Sequence, residues 1–231
     1  MSVDAPLQPG KEAQRPNDNE RYIAPTPHET LQKALYGEGV GIIENLGVSA
    51  EDRAAMKAAL DGEEGYSSDG ELHVQYGPFE NRATEEKIAG PVVKKLLALL
   101  ELKGEHRPAN ILYNVYVTGA GFERHFDSGG ADSPQHDGLP DMDQLSIVYV
   151  REGERPLYVW SPGVTDKENP GQPPFVIQTA ADMAVMIRGG AIVHDDHTYP
   201  AILHEVPPLE EGTSESVVFE LHTPFLADGA E

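Results

Sequence analysis

From Pro108 onward the chain is cut into short apolar runs by turn residues, and this limits its possible folds more than any other feature. ANILYNVYV, RHFD, QLSIVYV, PLYVWS, PFVIQ, MAVMIR, AIVH, AILHEV and SVVFELHTPF follow one another, with clusters of Gly, Pro and Asp between them. The runs are rich in Val, Ile, Tyr and Phe, the residues that fit a pleated and half-buried surface. Many brief strands separated by turn signals predict an antiparallel sandwich or barrel. The expected fold class is mainly β with flanking helices, and no internal repeat is visible.

The first half reads differently. Residues 1–20 are rich in Pro, Gln, Asn, Asp and Glu and nearly lack large apolar side chains. Ordering them would cost backbone entropy with little burial in return, so they are expected to be a disordered tail. Thr26, Pro27 and Glu29 then form the signature of a capping box, which predicts a helix of about three turns over LQKAL. GIIENLG reads as a short strand, and Ser49 as the cap of a second helix through AAMKAAL that Gly62 ends. After a polar loop, Thr84 caps a third helix that Gly90 and Pro91 are expected to interrupt before VVKKLLALLEL resumes and stops at Gly104. The predicted organisation is a tail (1–20), a support region of helices and strands (21–106) and a β core (107–231), the last two forming one integrated domain.

Charge narrows the partners. Seventeen Lys and Arg against thirty-nine Asp and Glu leave a formal charge of -22. Such a surface repels phosphate backbones and anionic head groups, so neither nucleic acid nor a membrane is expected as a partner. There is no cysteine, which excludes disulfides, zinc fingers and a thiolate nucleophile and leaves His and carboxylates as the available metal ligands. The first residues lack the apolar stretch of a signal peptide, and no run approaches the ~18 apolar residues of a membrane span. The expectation is a soluble, cytoplasmic protein.

Among nine histidines, His125 stands out because Asp127 follows two places later in GFERHFDSGG. Side chains at i and i+2 of an extended segment share a face, so imidazole and carboxylate can converge while Phe126 points away. Taken alone, His-x-Asp reads equally well as a histidine salt-bridged at a loop edge. His204, far along the chain in PAILHEVPP, offers a third ligand if a sandwich brings its strand alongside. A His, Asp, His set on one side of a metal leaves open positions and suits ferrous iron in an oxygen-activating site.

These segments resemble the iron(II) and 2-oxoglutarate dependent dioxygenases, whose core is a double-stranded β-helix (jelly-roll), and their layout is most similar to the isopenicillin N synthase-like branch. The resemblance spans about residues 28–226. ALYGEGVGIIENLGVS is similar to the branch's N-terminal segment, LYNVYV to the strand with an Asn-x-Tyr pair, and HFD to the metal pair. DQLSIVYV looks like the next apolar strand, PLYVWSPG like a pocket-lining strand, MAVMIRGGAIVH with AILHEVPP like the run that delivers the distal His, and ESVVFELHTPF like the closing strand. The resemblance implies that His125, Asp127 and His204 hold Fe(II), that Asn114 and Tyr116 contact the cosubstrate, and that 2-oxoglutarate and O2 are consumed as a small molecule is oxidised. Asp127 argues against a halogenase, in which a small residue stands at that point.

One position departs from the family. Ten residues after the distal His the family carries an Arg-x-Ser, whose guanidinium pairs with the far carboxylate of 2-oxoglutarate. Here Ser214 stands for the Arg and Ser216 for the Ser, and no Lys or Arg follows Arg188. Arg188 and Arg124 are the nearest cations in sequence; Arg188 is preferred, because Arg124 faces away from His125 by alternation, although Arg188 reads equally as a surface residue at a strand end. Three readings follow: a 2-oxoglutarate-dependent oxygenase, a 2-oxoglutarate-independent oxidase or cyclase of the isopenicillin N synthase type, and a cupin-like binding module without catalysis. The cluster His194 to His197 reads as a solvated loop at the pocket mouth, and His136 with Asp132 and Asp137 as part of a lid or substrate loop. Tyr158 and Trp160 either line the pocket or pack in the core, and His222 reads as structural. By analogy, the substrate class is natural-product or amino-acid tailoring in biosynthesis.

Overall fold

The computed structural model describes residues 26–68, 72–102, 106–127, 142–194 and 196–224. Its elements run α1 (Pro27–Tyr36), β1 (Val40–Ile43), α2 (Ala50–Ala58), β2 (Tyr66–Ser68), β3 (His73–Tyr76), α3 (Arg82–Leu99), β4 (Arg107–Val117), β5 (Phe122–His125), β6 (Met142–Glu152), β7 (Glu154–Val159), β8 (Phe175–Ala180), β9 (Ala184–Ile187), β10 (Ile192–His194), β11 (His197–Tyr199), β12 (His204–Val206) and β13 (Thr213–Pro224). The predicted tail and the predicted loop around His136 lie outside the described residues.

Local chemistry sets the helix starts. At α1 both halves of the capping box form, with Thr26 accepting from the Glu29 amide and the Glu29 carboxylate accepting from the Thr26 amide. Ser49 caps α2 by accepting from the Asp52 amide at 3.0 Å, and α2 ends at Ala58, short of Gly62. At α3 the expected cap is displaced. Asn81 accepts from the Ala83 amide, while the Thr84 hydroxyl donates to Glu63. Nor does Pro91 break this helix, which runs unbroken from Arg82 to Leu99. Ile88, Ala89, Val92, Val93 and Leu96 are all buried along it, and burial of five apolar side chains outweighs one lost backbone hydrogen bond.

The strands form a seven-stranded antiparallel sheet in the order β1-β9-β6-β13-β4-β3-β2, a four-stranded sheet β5-β12-β7-β8 and a β10-β11 hairpin. Alternation along the central strands divides the interior. Tyr113, Ile147, Tyr149, Met186, Val217, Phe219 and Leu221 pack against Leu31, Leu35, Met56, Ile88 and Leu96 of the helices. The other face turns Tyr116, Val148, Val185 and Ile187 toward Leu157, Val159, Ile202 and Val206 of the smaller sheet and its flank. The result is three layers, helices on sheet on sheet, and mainly β as the sequence implies. Among the described residues no helix is long and apolar enough to cross a membrane.

One stretch read as a loop proves to be a hairpin, and the expected loop at His194 to His197 belongs to a second one whose first strand lies in the expected run AIVH. Tyr66–Ser68 and His73–Tyr76 pair and extend the large sheet beyond β4. His194 and His197 pair across the turn joining β10 to β11. The first hairpin and the strand β11 are too short for their alternation to stand out in the sequence.

Candidate metal centre

Register brings the three candidate ligands together. β12 runs antiparallel to β5 with His204 directly opposite His125, and Asp127 lies two residues past His125. His125 Nε2 is 3.3 Å and His204 Nε2 is 3.4 Å from the same Asp127 oxygen, Oδ1. Phe126 turns away to pack with Trp160, Ala201 and Leu203.

Second partners orient each ligand. His125 Nδ1 lies 2.8 Å from the carbonyl of Glu123, and His204 Nδ1 lies 3.0 Å from the carbonyl of Ile202. A carbonyl only accepts, so each Nδ1 carries the proton and donates it, and in the neutral ring the lone pair sits on Nε2, facing Asp127. Ser146 on β6 donates its hydroxyl to the other aspartate oxygen, Oδ2, at 2.5 Å, leaving Oδ1 to the imidazoles. Burial opposes ionisation of Asp127, but the charge and hydrogen bonds of His204 and His125 outweigh it and hold the carboxyl well below the usual carboxylate range. Burial likewise disfavours a charged His204, and Asp127 more than reverses it, raising its pKa above the ordinary value. The donors fit a small divalent ion: bonds of about 2.1 Å at right angles would set neighbouring ligands about 3.0 Å apart. Among the described residues this is the one group of three such side chains able to meet on an ion. The site is open on one side, where the His125 and Asp127 side chains are 28% and 22% exposed, whereas His204 is 7% exposed.

The other predicted site residues divide. Asn114 and Tyr116 are buried on the inner face of β4. The Asn114 Oδ1 lies 3.0 Å from His73 Nε2, and the Tyr116 ring stacks on His73 at 4.4 Å between centroids. Ser216 is also buried on the inner face. Arg188 lies elsewhere. Its guanidinium donates to the carbonyls of Leu35, in the last turn of α1, and of Pro200, just after β11, both at 2.6 Å, and it is fully buried rather than a surface residue. Arg124 faces away from the site as alternation predicts, donating to Glu205 and to the Lys167 carbonyl. Trp160 packs in the core with its indole N–H bonded to the Gln172 carbonyl, and His222 is buried beside Glu220.

Two residues on the inner face were not anticipated. His73 is 2% exposed and makes a T-shaped contact with Phe122, whose ring in turn contacts that of His125. Arg155 is also 2% exposed. It donates from Nη2 to Ser216 Oγ at 3.1 Å, and its guanidinium lies 4.3 Å from the Tyr116 ring centroid. Its signal was present in ERPLYV: Leu157 and Val159 point inward, so Arg155 does too.

No protein-family model and no curated protein matches the sequence. Solved structures do. The chain is similar to an oxidoreductase of the 2OG-Fe(II) oxygenase family from Burkholderia pseudomallei, with a TM-score of 0.58 and 12% identity, over 87% of this chain and 92% of that one. It is also similar to SnoN, described as a non-heme alpha ketoglutarate dependent epimerase from nogalamycin biosynthesis (TM-score 0.56, 10% identity, 89% and 91% covered). A third likeness is to HygX from Streptomyces hygroscopicus, solved with nickel, 2-oxoglutarate and hygromycin B bound (TM-score 0.51, 10% identity, 86% and 87% covered). None of these descriptions names the isopenicillin N synthase-like branch. Two facing antiparallel sheets backed by helices, with these likenesses over most of each chain, give this protein the double-stranded β-helix fold of the 2OG-Fe(II) oxygenases.

Proposed function

We propose that the protein is a mononuclear non-haem iron(II) oxygenase that uses 2-oxoglutarate and dioxygen to oxidise a small molecule. One observation carries this reading: His125, Asp127 and His204 converge with both Nδ1 protons fixed on carbonyls, so three ligand atoms meet on one side of an open site. Such a set would hold Fe(II) and leave neighbouring positions for cosubstrate and oxygen. When bound, iron with 2-oxoglutarate and O2 supplies an oxidant that delivers one oxygen atom to the substrate and the other to succinate, with release of CO2.

The chain's own residues position and exclude. The carbonyls of Glu123 and Ile202 fix the imidazole planes, and Ser146 fixes the carboxylate. Asn114, Tyr116 and Ser216 present a polar wall on the large sheet where a cosubstrate would lie, while Leu157, Val159 and Ile202 keep the adjoining interior dry. The small-molecule substrate is supported by the open face of the triad and by the kind of ligand, hygromycin B, that one protein of the same fold holds. The branch reading rests on the sequence segments alone.

Anaerobic titration with Fe(II) and then 2-oxoglutarate tests the proposal. The wild-type protein is expected to bind one equivalent of metal, to develop a weak visible absorption band on adding 2-oxoglutarate, and to form succinate once oxygen and substrate are supplied. His125→Ala and His204→Ala are each expected to lose the band. A wild-type protein that binds no Fe(II) sinks the reading, and oxygen uptake without succinate would favour the 2-oxoglutarate-independent oxidase.

A further inference from the structure

The large sheet lacks a cation on β13 where one is expected, yet a buried cation reaches that place from the opposite sheet. Ser214 and Ser216 occupy successive inner-face positions of β13, and both are fully buried. Arg155 extends toward them from β7, with Nη2 on Ser216 Oγ at 3.1 Å and its guanidinium over the Tyr116 ring. Its other donors, Nε and Nη1, are buried without a hydrogen-bond partner, as is Ser214 Oγ. Among the described residues no carboxylate forms an ion pair with Arg155, and an uncompensated buried guanidinium with two idle donors is strongly unfavourable unless an anion completes it.

Placement says which anion. Val159, four residues along β7 and on the same face as Arg155, pairs with His204. A chain of ring contacts also links the two places, from Arg155 over Tyr116 to His73, then to Phe122 and His125. The metal ligands and the idle guanidinium therefore lie in one interior, separated along β7 by about 13 Å at ~3.3 Å per residue. An extended arginine side chain and a short dicarboxylate together cover such a span. Pro156 confines Arg155 to extended backbone, and its carbonyl accepts from the Thr179 hydroxyl at 2.8 Å, so the side chain is launched from a fixed point.

We propose that Arg155, with Ser214, Ser216 and Tyr116, forms the cradle for the distal carboxylate of 2-oxoglutarate, replacing the cation missing from β13. This assignment rests on the proposed function, and its test separates the two. Binding of 2-oxoglutarate is compared with that of 2-oxovalerate, which carries a methyl group in place of the distal carboxylate. Both are titrated calorimetrically into the Ni(II)-loaded protein, and Ni(II) affinity is measured separately. The wild type is expected to prefer 2-oxoglutarate by about a hundredfold, since a paired buried charge discriminates on that scale. Arg155→Gln is expected to erase the preference to within about threefold while Ni(II) affinity stays unchanged. A wild type that binds Ni(II) but neither ketoacid overturns the 2-oxoglutarate reading together with this one. A preference that survives in Arg155→Gln overturns the Arg155 assignment alone. Should Arg155→Gln not fold, Ser216→Ala removes only one hydroxyl: a roughly tenfold fall in preference supports the cradle, and an unchanged preference overturns it.

Discussion

Ser146 touches no imidazole and is not a candidate ligand, yet its removal should weaken metal binding measurably. The residue is 5% exposed, and its hydroxyl donates to Asp127 Oδ2 at 2.5 Å, at the short end for a hydroxyl on a charged acceptor. A hydrogen bond to a charged group contributes about 1.5–3 kcal/mol. At 1.4 kcal/mol per tenfold, Ser146→Ala should lower metal affinity roughly 10- to 100-fold, the range typical of groups that orient metal ligands. The strand itself should not move, because Ser146 is paired on one side with Glu220 of β13 and on the other with Ile187 of β9. The assay is anaerobic Fe(II) binding in competition with a chromogenic chelator, alongside urea unfolding of the metal-free protein. A metal affinity within about twofold of wild type, in a variant that folds normally, would refute the argument that the serine holds Asp127 in its binding orientation.

Three further expectations concern stability. Glu215 is buried, accepts from Arg151 Nε at 2.9 Å and Nη2 at 2.7 Å, and is also bonded by Lys57 and the Tyr113 hydroxyl; Glu215→Gln should cost about 3–5 kcal/mol in urea unfolding by leaving Arg151 without its buried partner. Burial opposes ionisation of Glu215, but Lys57, Tyr113 and Arg151 outweigh it and lower its pKa from the ordinary 4.5. Its stabilising contribution is therefore complete above that value and lost as pH falls through the lower folded one, so the acid-side decline in stability should flatten in Glu215→Gln. Phe219→Ala, at a fully packed site between β13 and the helices, should cost about 3–5 kcal/mol by the same measurement, and a loss under about 1 kcal/mol would contradict the packing described. Gly153 turns the chain between β6 and β7 at φ 77°, where an added Cβ would lie 2.3 Å from the Thr213 carbonyl oxygen; Gly153→Ala should lower the thermal midpoint and, by shifting the start of β7, weaken 2-oxoglutarate binding more than metal binding.

Local signals were legible wherever a few neighbouring residues decide the outcome. Thr26 and Glu29, three residues apart, wrote the capping box at α1, and the i, i+2 spacing of His125 and Asp127 put both on one face before any partner strand was known. Such patterns depend on backbone geometry over one or two turns, which the sequence states directly. Where burial competes with local preference, burial decides. Pro91 stays inside α3 because the apolar face around it is buried, and Thr84 surrenders the cap to Asn81 because Glu63, brought near by folding, accepts its hydroxyl. The hairpin carrying His73 offered too few residues for its period to be read.

The sequence by itself determined a β-rich core with bracing helices, and it supplied the three side chains able to bind a metal. Tertiary structure alone decided that β12 lies beside β5 with His204 opposite His125. It also decided that the idle cation near Ser216 is Arg155, from the facing sheet, and not Arg188, whose guanidinium is held by the main-chain carbonyls of Leu35 and Pro200. The reason is that sheet register and sheet-to-sheet packing are set by the whole apolar pattern at once, so contacts between residues dozens of positions apart are not written at either residue.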